Sequence, residues 1–279
     1  MLAGALLGAV GSGRFAGVPI LGHLRPWQAV FMLMGIVGIP LSLVVLTFRE
    51  PPRSTLGAGD NVHFTEAMAH MKTAWGHYAA LIVFVTCFYG TAISYGAWMP
   101  TVIGRTWHLP PQTIGLFFGL TLLICAPIGA LGGGYAIDVL TKRGRANSAE
   151  IVGTWITAIF IPFGIWSPIA PSVFQMFFAL AAQLLVAGAY NPVAASLLAR
   201  LTPQRVMGRV TAVYLFIQTL VARSLGPLMV GVASDLFFTG NQAVGYALGT
   251  VAGVLMAIAL AAILWLLIRA RTAVSQAVV

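Results

Sequence analysis

The residues whose types and spacing can do chemistry in this chain are polar side chains set inside long apolar runs. Gln183 and Asn191 lie eight apart, on nearly one face of a helix, with Ala187 between them and Pro192 following to loosen the helix there. Tyr214 and Gln218 lie four apart and share a face. Such a set suits hydrogen bonding to the polar head of a small solute. It suits equally well helix-to-helix hydrogen bonds, worth about a kcal/mol or less each. Arg223 is sharper, because a cation near the middle of an apolar run costs at least about 2.5 kcal/mol to insert and must meet water or a partner. It lies about 140° around a helix from Gln218, so the two do not point at one spot. Three roles stay open for it: an anchor for an anionic solute, a structural pair, or a sign of relaxed constraint. Tyr89, mid-run, and Tyr95 add aromatic hydroxyls, and Trp98 falls where an interfacial aromatic belt is expected.

Catalytic constellations do not form from what remains. The six acids, Glu50, Asp60, Glu66, Asp138, Glu150 and Asp235, fall in loops or at run ends, and the five histidines are scattered. No His-Glu-x-x-His pairing and no glycine-rich phosphate loop ending in Lys occurs, so neither a membrane enzyme nor ATP chemistry is expected. Cys87 and Cys125 lie inside apolar runs and read as inert thiols, without disulfide or zinc spacing. No cofactor and no metal site are expected.

The elements that carry these residues follow from composition. Hydrophobic residues make up 59% of the 279 and charged ones 8%, with a mean hydropathy of +0.93. A soluble domain carries roughly a quarter charged residues, so lipid must be the solvent for most of this surface. Eight runs are long enough to cross a bilayer core: 1–21, 27–48, 78–103, 112–137, 151–170, 174–199, 210–234 and 246–268. Pro100, Pro127, Pro162 and Pro192 fall within them, which spanning helices tolerate.

The net charge of +9 does not indicate nucleic acid, because the cations sit in the gaps between runs. Arg49, Arg53, Lys72, Lys142, Arg143, Arg145, Arg200, Arg205, Arg209, Arg269 and Arg271 fall on one side, against Arg25 and Arg105 on the other. That bias predicts both termini in the cytoplasm of a multi-pass protein of the inner or plasma membrane. The first run lacks a basic lead and a cleavage site, so it is not a signal peptide. Gly4, Gly8, Gly11 and Gly13 in that run permit close helix packing, and Arg14 lies within it. The long gap 49–76 opens with turn residues and continues as FTEAMAHMKTAWGH, a short amphipathic helix along the membrane surface.

Residues 132–145, GGGYAIDVLTKRGR, join the fourth and fifth runs. Asp138 at the boundary is placed to hold a neighbouring helix N-terminus or an Arg in one conformation and release it in another. The positive-inside rule alone accounts for Lys142, Arg143 and Arg145, but not for the Gly-x-x-x-Asp before them. This segment resembles the loop signature of the major facilitator superfamily, Gly-x-x-x-Asp-Arg-x-Gly-Arg-Arg. Gly134, Asp138, Gly144 and Arg145 match in kind; Val139 stands where the signature has Arg, and three extra residues precede Gly144. The longer spacing is similar to the spinster-like branch. So are WMPTVIGRTWHLPPQTIGLFFGL from Trp98, TPQRVMGRVTAVYLFIQTLVARSLGPLMVGVASDLFF from Thr202, and the Trp27–Arg53 stretch ending in REPPR.

The resemblance implies an all-α membrane protein whose eight transmembrane helices correspond to helices 5–12 of a twelve-helix major facilitator fold, lacking the first four helices. Residues 1–48 would be the last two helices of the N-terminal bundle, 49–76 the central cytoplasmic loop, and 77–279 a complete six-helix C-terminal bundle with a short tail. It implies rocking of two bundles about a central site, with the runs holding Tyr89, Gln183, Asn191, Tyr214, Gln218 and Arg223 lining the cavity. Gly134, Asp138, Lys142, Gly144 and Arg145 would form the gating motif. Expected partners are the lipid bilayer and a small organic or amphipathic solute, with the full-length protein monomeric. No acid lies mid-run, so a coupling acid would sit in the absent helices or the carrier would be a uniporter. The first run lacks the Gly-Pro of the antiporter signature. The rival is a non-transporting fragment of such a carrier.

Overall fold

The structure is a computed structural model that describes residues 25–48 and 64–276. The first run, with its glycines and Arg14, and loop residues 49–63, with Asp60, lie outside the described residues. The second run forms an apolar helix, α1 (Pro26–Leu43), continued by a tighter turn at Val44–Thr47. The amphipathic segment is a helix, α2 (Phe64–Thr73), whose Ala67 and Met71, four apart, are its buried residues. There follow α3 (Trp75–Trp107), α4 (Pro111–Lys142), α5 (Ser148–Trp166) with a terminal turn at Ser167–Ile169, α6 (Val173–Gly188), α7 (Tyr190–Leu201), α8 (Met207–Phe237) and α9 (Ala243–Gln276). Taking α6 and α7 as one run, six helical stretches among the described residues are long and apolar enough to cross a membrane.

Two compact units separate: Val62–His108 with Thr121–Val279, and Leu109–Leu120 with the chain before it up to Asn61. In the larger unit α3 is the organising helix. Tyr78, Leu81, Phe84, Phe88, Tyr95, Met99 and Ile103 recur at helical spacing and are fully buried. They pack against α9, through residues such as Leu248, Met256 and Ile263, and against α8. Phe216, Leu236, Leu131 and Phe174 lie largely bare on the outside, an arrangement that lipid tolerates and water does not.

The prolines show how the spans keep their backbone groups bonded. Pro168 has no N–H to give the carbonyl of Gly164, and the Tyr95 hydroxyl donates to that carbonyl instead. Pro192 likewise leaves the Gly188 carbonyl without its usual donor, and here the run breaks: α6 ends at Gly188 and α7 begins at Tyr190. A neighbour occupies the notch. A side chain at Gly188 would overlap the Ala126 carbonyl, and one at Gly129 the Leu185 carbonyl, so α4 packs backbone to backbone there.

Candidate functional site

The site builds outward from Tyr190, the first residue of α7. Its hydroxyl accepts a bond from Gln218 Nε2 at 2.6 Å and donates to the Val85 carbonyl at 3.2 Å. The Tyr214 hydroxyl is also within its hydrogen-bonding range. Its ring stacks on Phe88, centroids 4.9 Å apart and planes 14° from parallel, and more loosely on Tyr89 at 6.4 Å. One side chain thus ties α7 to α3 and α8. Tyr214 and Gln218, on one face as their spacing requires, converge on it and are buried.

Arg223 lies one turn further along α8, on a different face, and is exposed. Its Nη2 donates to the Tyr89 hydroxyl at 3.1 Å, with the guanidinium carbon 6.0 Å from the Tyr89 ring centre. The reach is fixed by a close helix crossing beside it. Gly226 faces the Gly90 carbonyl, a side chain there would meet it at 2.6 Å, and Ala222 sits against Gly90. Tyr89 and Arg223 each adjoin a residue of that contact, so the crossing holds them together.

The remaining candidates separate. Gln183 is fully buried and accepts a bond from the Ser167 hydroxyl at 2.9 Å, a tie between α6 and the turn after α5. Asn191 is exposed, one residue beyond Tyr190. The break at Ala189 gives the two different surroundings despite their spacing. Trp98, expected in the interfacial belt, donates its indole N–H to the Pro227 carbonyl at 2.9 Å and lies against Gly231.

At the other end of α4 the signature residues have a plain local geometry. Gly144 takes φ +75°, with its N–H bonded to the Thr141 carbonyl and the Arg145 N–H to the Leu140 carbonyl. That is a Schellman cap, which needs a residue in the left-handed region, and glycine is the residue that enters it without strain. Gly134 approaches Pro192. Asp138, Lys142 and Arg145 are exposed, and Asp138 makes no ion pair among the described residues. Thr141 bonds Ser148, closing the loop onto α5.

Sequence reasoning passed over two features. Tyr190 was hidden as an aromatic among apolar neighbours, although Tyr-Asn-Pro inside a span is itself a polar interruption. Glu150 reads in the sequence as a run-end acid, but it is buried and bonded by Arg200 at 2.5 Å, tying α5 to α7. Opposite charges fifty residues apart carry no local signal.

Comparison with known proteins places this arrangement. The sequence model of the Major Facilitator Superfamily matches residues 1–227. Two solved structures of a bacterial homologue of the human lysosomal transporter Spinster, both inward-facing, are similar in fold. The unoccupied form has a TM-score of 0.61 at 20% identity, and the occupied form 0.61 at 21%. Each comparison covers 96% of this chain and 63% of the solved one, so the chain spans under two thirds of their length. No curated protein sequence matches it. The family and the solved neighbours are transporters rather than enzymes. With a family match over most of its residues and an all-helical membrane fold of the same kind as the bacterial Spinster homologue, the chain belongs to the Major Facilitator Superfamily.

Proposed function

We propose that this protein is a secondary active transporter that moves a small organic or amphipathic, anionic solute by alternating access. It would sit in the inner or plasma membrane with both termini cytoplasmic. In this reading residues 1–48 contribute to one bundle, 49–76 form the loop between bundles, and 77–279 make up the other. The observation that carries the anionic assignment is the Arg223–Tyr89 pair. Among the described residues one of the five guanidinium N–H donors has a partner, Tyr89, while the side chain stays exposed. A cation held in place by a single aromatic hydroxyl keeps donors for a carboxylate or phosphate.

Tyr89, Arg223 and Asn191 would then meet the solute. Gln218, Tyr214 and Tyr190 would hold Tyr89 in place through the stacked rings, and Gln183 would serve helix packing. Asp138 would act in gating. The test is uptake by this chain in proteoliposomes across a panel of organic anions and lysolipids. Uptake above protein-free vesicles is expected for at least one anion. Arg223→Gln should raise its half-saturation concentration about tenfold, the scale of one lost charge-assisted hydrogen bond, with abundance unchanged. Uptake of none of them would leave the non-transporting reading standing. Unchanged affinity in the variant would leave Arg223 a structural role alone.

A further inference from the structure

A second cationic site lies at the end of the bundle where α3 and α5 begin and where α7 ends. A cavity of about 160 Å³ opens there between four helices. His77 of α3, Glu150 of α5, Leu197, Arg200 and Leu201 of α7, and Arg269 of α9 line it. That is more than ten times the ~10–15 Å³ that admits one water. Its walls are built rather than incidental. Arg200 is fixed by the buried Glu150 at 2.5 Å. Arg269 lies over the Trp265 ring, 5.3 Å from its centre, and His77 lies against the same ring at 5.4 Å. The Leu201 carbonyl beside them is already occupied by the Tyr78 hydroxyl and by His70.

Among the described residues that line it, two guanidiniums and an imidazole stand with one carboxylate, so the cavity is lined by more cationic than anionic groups. Leu197 and Leu266 supply an apolar wall beside the charges. Planar guanidiniums bind phosphate oxygens through paired N–H donors, and basic pockets between helix ends are where anionic headgroups sit. We propose that this cavity binds a phosphate group, that of an anionic phospholipid headgroup, with Arg200 and Arg269 as the clamp and Trp265 holding the second Arg in position. It is separate from the Arg223–Tyr89 pair, and its occupancy does not depend on transport.

The test measures binding to the delipidated chain in detergent by native mass spectrometry, with four probes: phosphatidylglycerol, phosphatidylcholine, glycerol 3-phosphate and inorganic phosphate. Phosphatidylglycerol should bind about tenfold or more tightly than phosphatidylcholine. Arg269→Gln should remove about that factor, the scale of one charge-assisted contact. Glu150→Gln should change binding in the opposite direction, because it frees Arg200 from its counter-charge. If Arg269→Gln is not recovered folded, Arg269→Lys keeps the charge and loses the fork, and should weaken binding about threefold. Glycerol 3-phosphate binding as tightly as phosphatidylglycerol would uphold the phosphate site and reassign it to a soluble ligand. Equal binding of both lipids, or either Arg269 variant binding like the wild type, would overturn the proposal.

Discussion

At the residue scale, the hydroxyl of Tyr190 joins more partners than the side chains of Gln183, Asn191 or Arg223. Removing it leaves the Gln218 amide buried with a donor unsatisfied, while the stacking on Phe88 survives. Tyr190→Phe is therefore expected to lower stability by about 1–3 kcal/mol, the cost of stranding one buried donor. Thermal unfolding in detergent reads this directly, and an unchanged midpoint would show that the Gln218 bond contributes nothing. Tyr214 and Gln218 were legible in the sequence because spacing of four puts two side chains on one face in any helix. Gln183 and Asn191 show the limit of that inference. Spacing of eight shares a face only if the helix between is unbroken, and Pro192 breaks it by depriving Gly188 of its donor. The partner of a polar residue is a tertiary fact. Arg223 had to have one on energetic grounds, yet nothing in the sequence pointed to Tyr89, 134 residues away.

At the scale of elements, the spans among the described residues were legible as helices, with ends shifted by up to about two turns, since twenty apolar residues in lipid have little choice but a helix. What hydropathy misses is where a helix stops. The signature loop after α4 combines two devices that the sequence alone did not separate. Gly144 is a helix terminator, as its positive φ and paired cap bonds require, while Asp138 is exposed and takes no part in the cap. The two should respond differently to substitution. Gly144→Ala forces a side chain into the left-handed region and should cost about 1–2 kcal/mol of stability with little direct effect on affinity. Asp138→Asn should leave the unfolding midpoint unchanged and cut uptake. Measuring both quantities for both variants gives a two-by-two outcome. Normal uptake by the Asn variant would leave only the positive-inside reading of this loop.

At the scale of the whole molecule, the described helices from α3 to α9 form six stretches long and apolar enough to cross a membrane, and six crossings give each loop end a definite parity. Arg143, after α4, and Gln204, after α7, lie at the same end as the start of α3, while Asn241, between α8 and α9, lies at the opposite end. The expectation for which end faces the cytoplasm rests on charge alone. Lys142, Arg143, Arg145, Arg200, Arg205 and Arg209 gather at the first end, and the opposite end holds Arg105, in the last turn of α3. Single cysteines at 143, 204 and 241, in a background where Cys87 and Cys125 are replaced by Ala, test this with a membrane-impermeant maleimide. In intact cells Asn241→Cys should label, whereas Arg143→Cys and Gln204→Cys should label only after the membrane is opened. Parity ties the three together: a missed or extra crossing between 143 and 204 would split those two, one between 204 and 241 would bring 241 to their side, and a full inversion would exchange them with 241. Labelling of 143 and 204 from outside, with 241 protected, would leave the helices as described and reverse the charge-based orientation. It would also move the Arg200–Arg269 cavity to the outer leaflet.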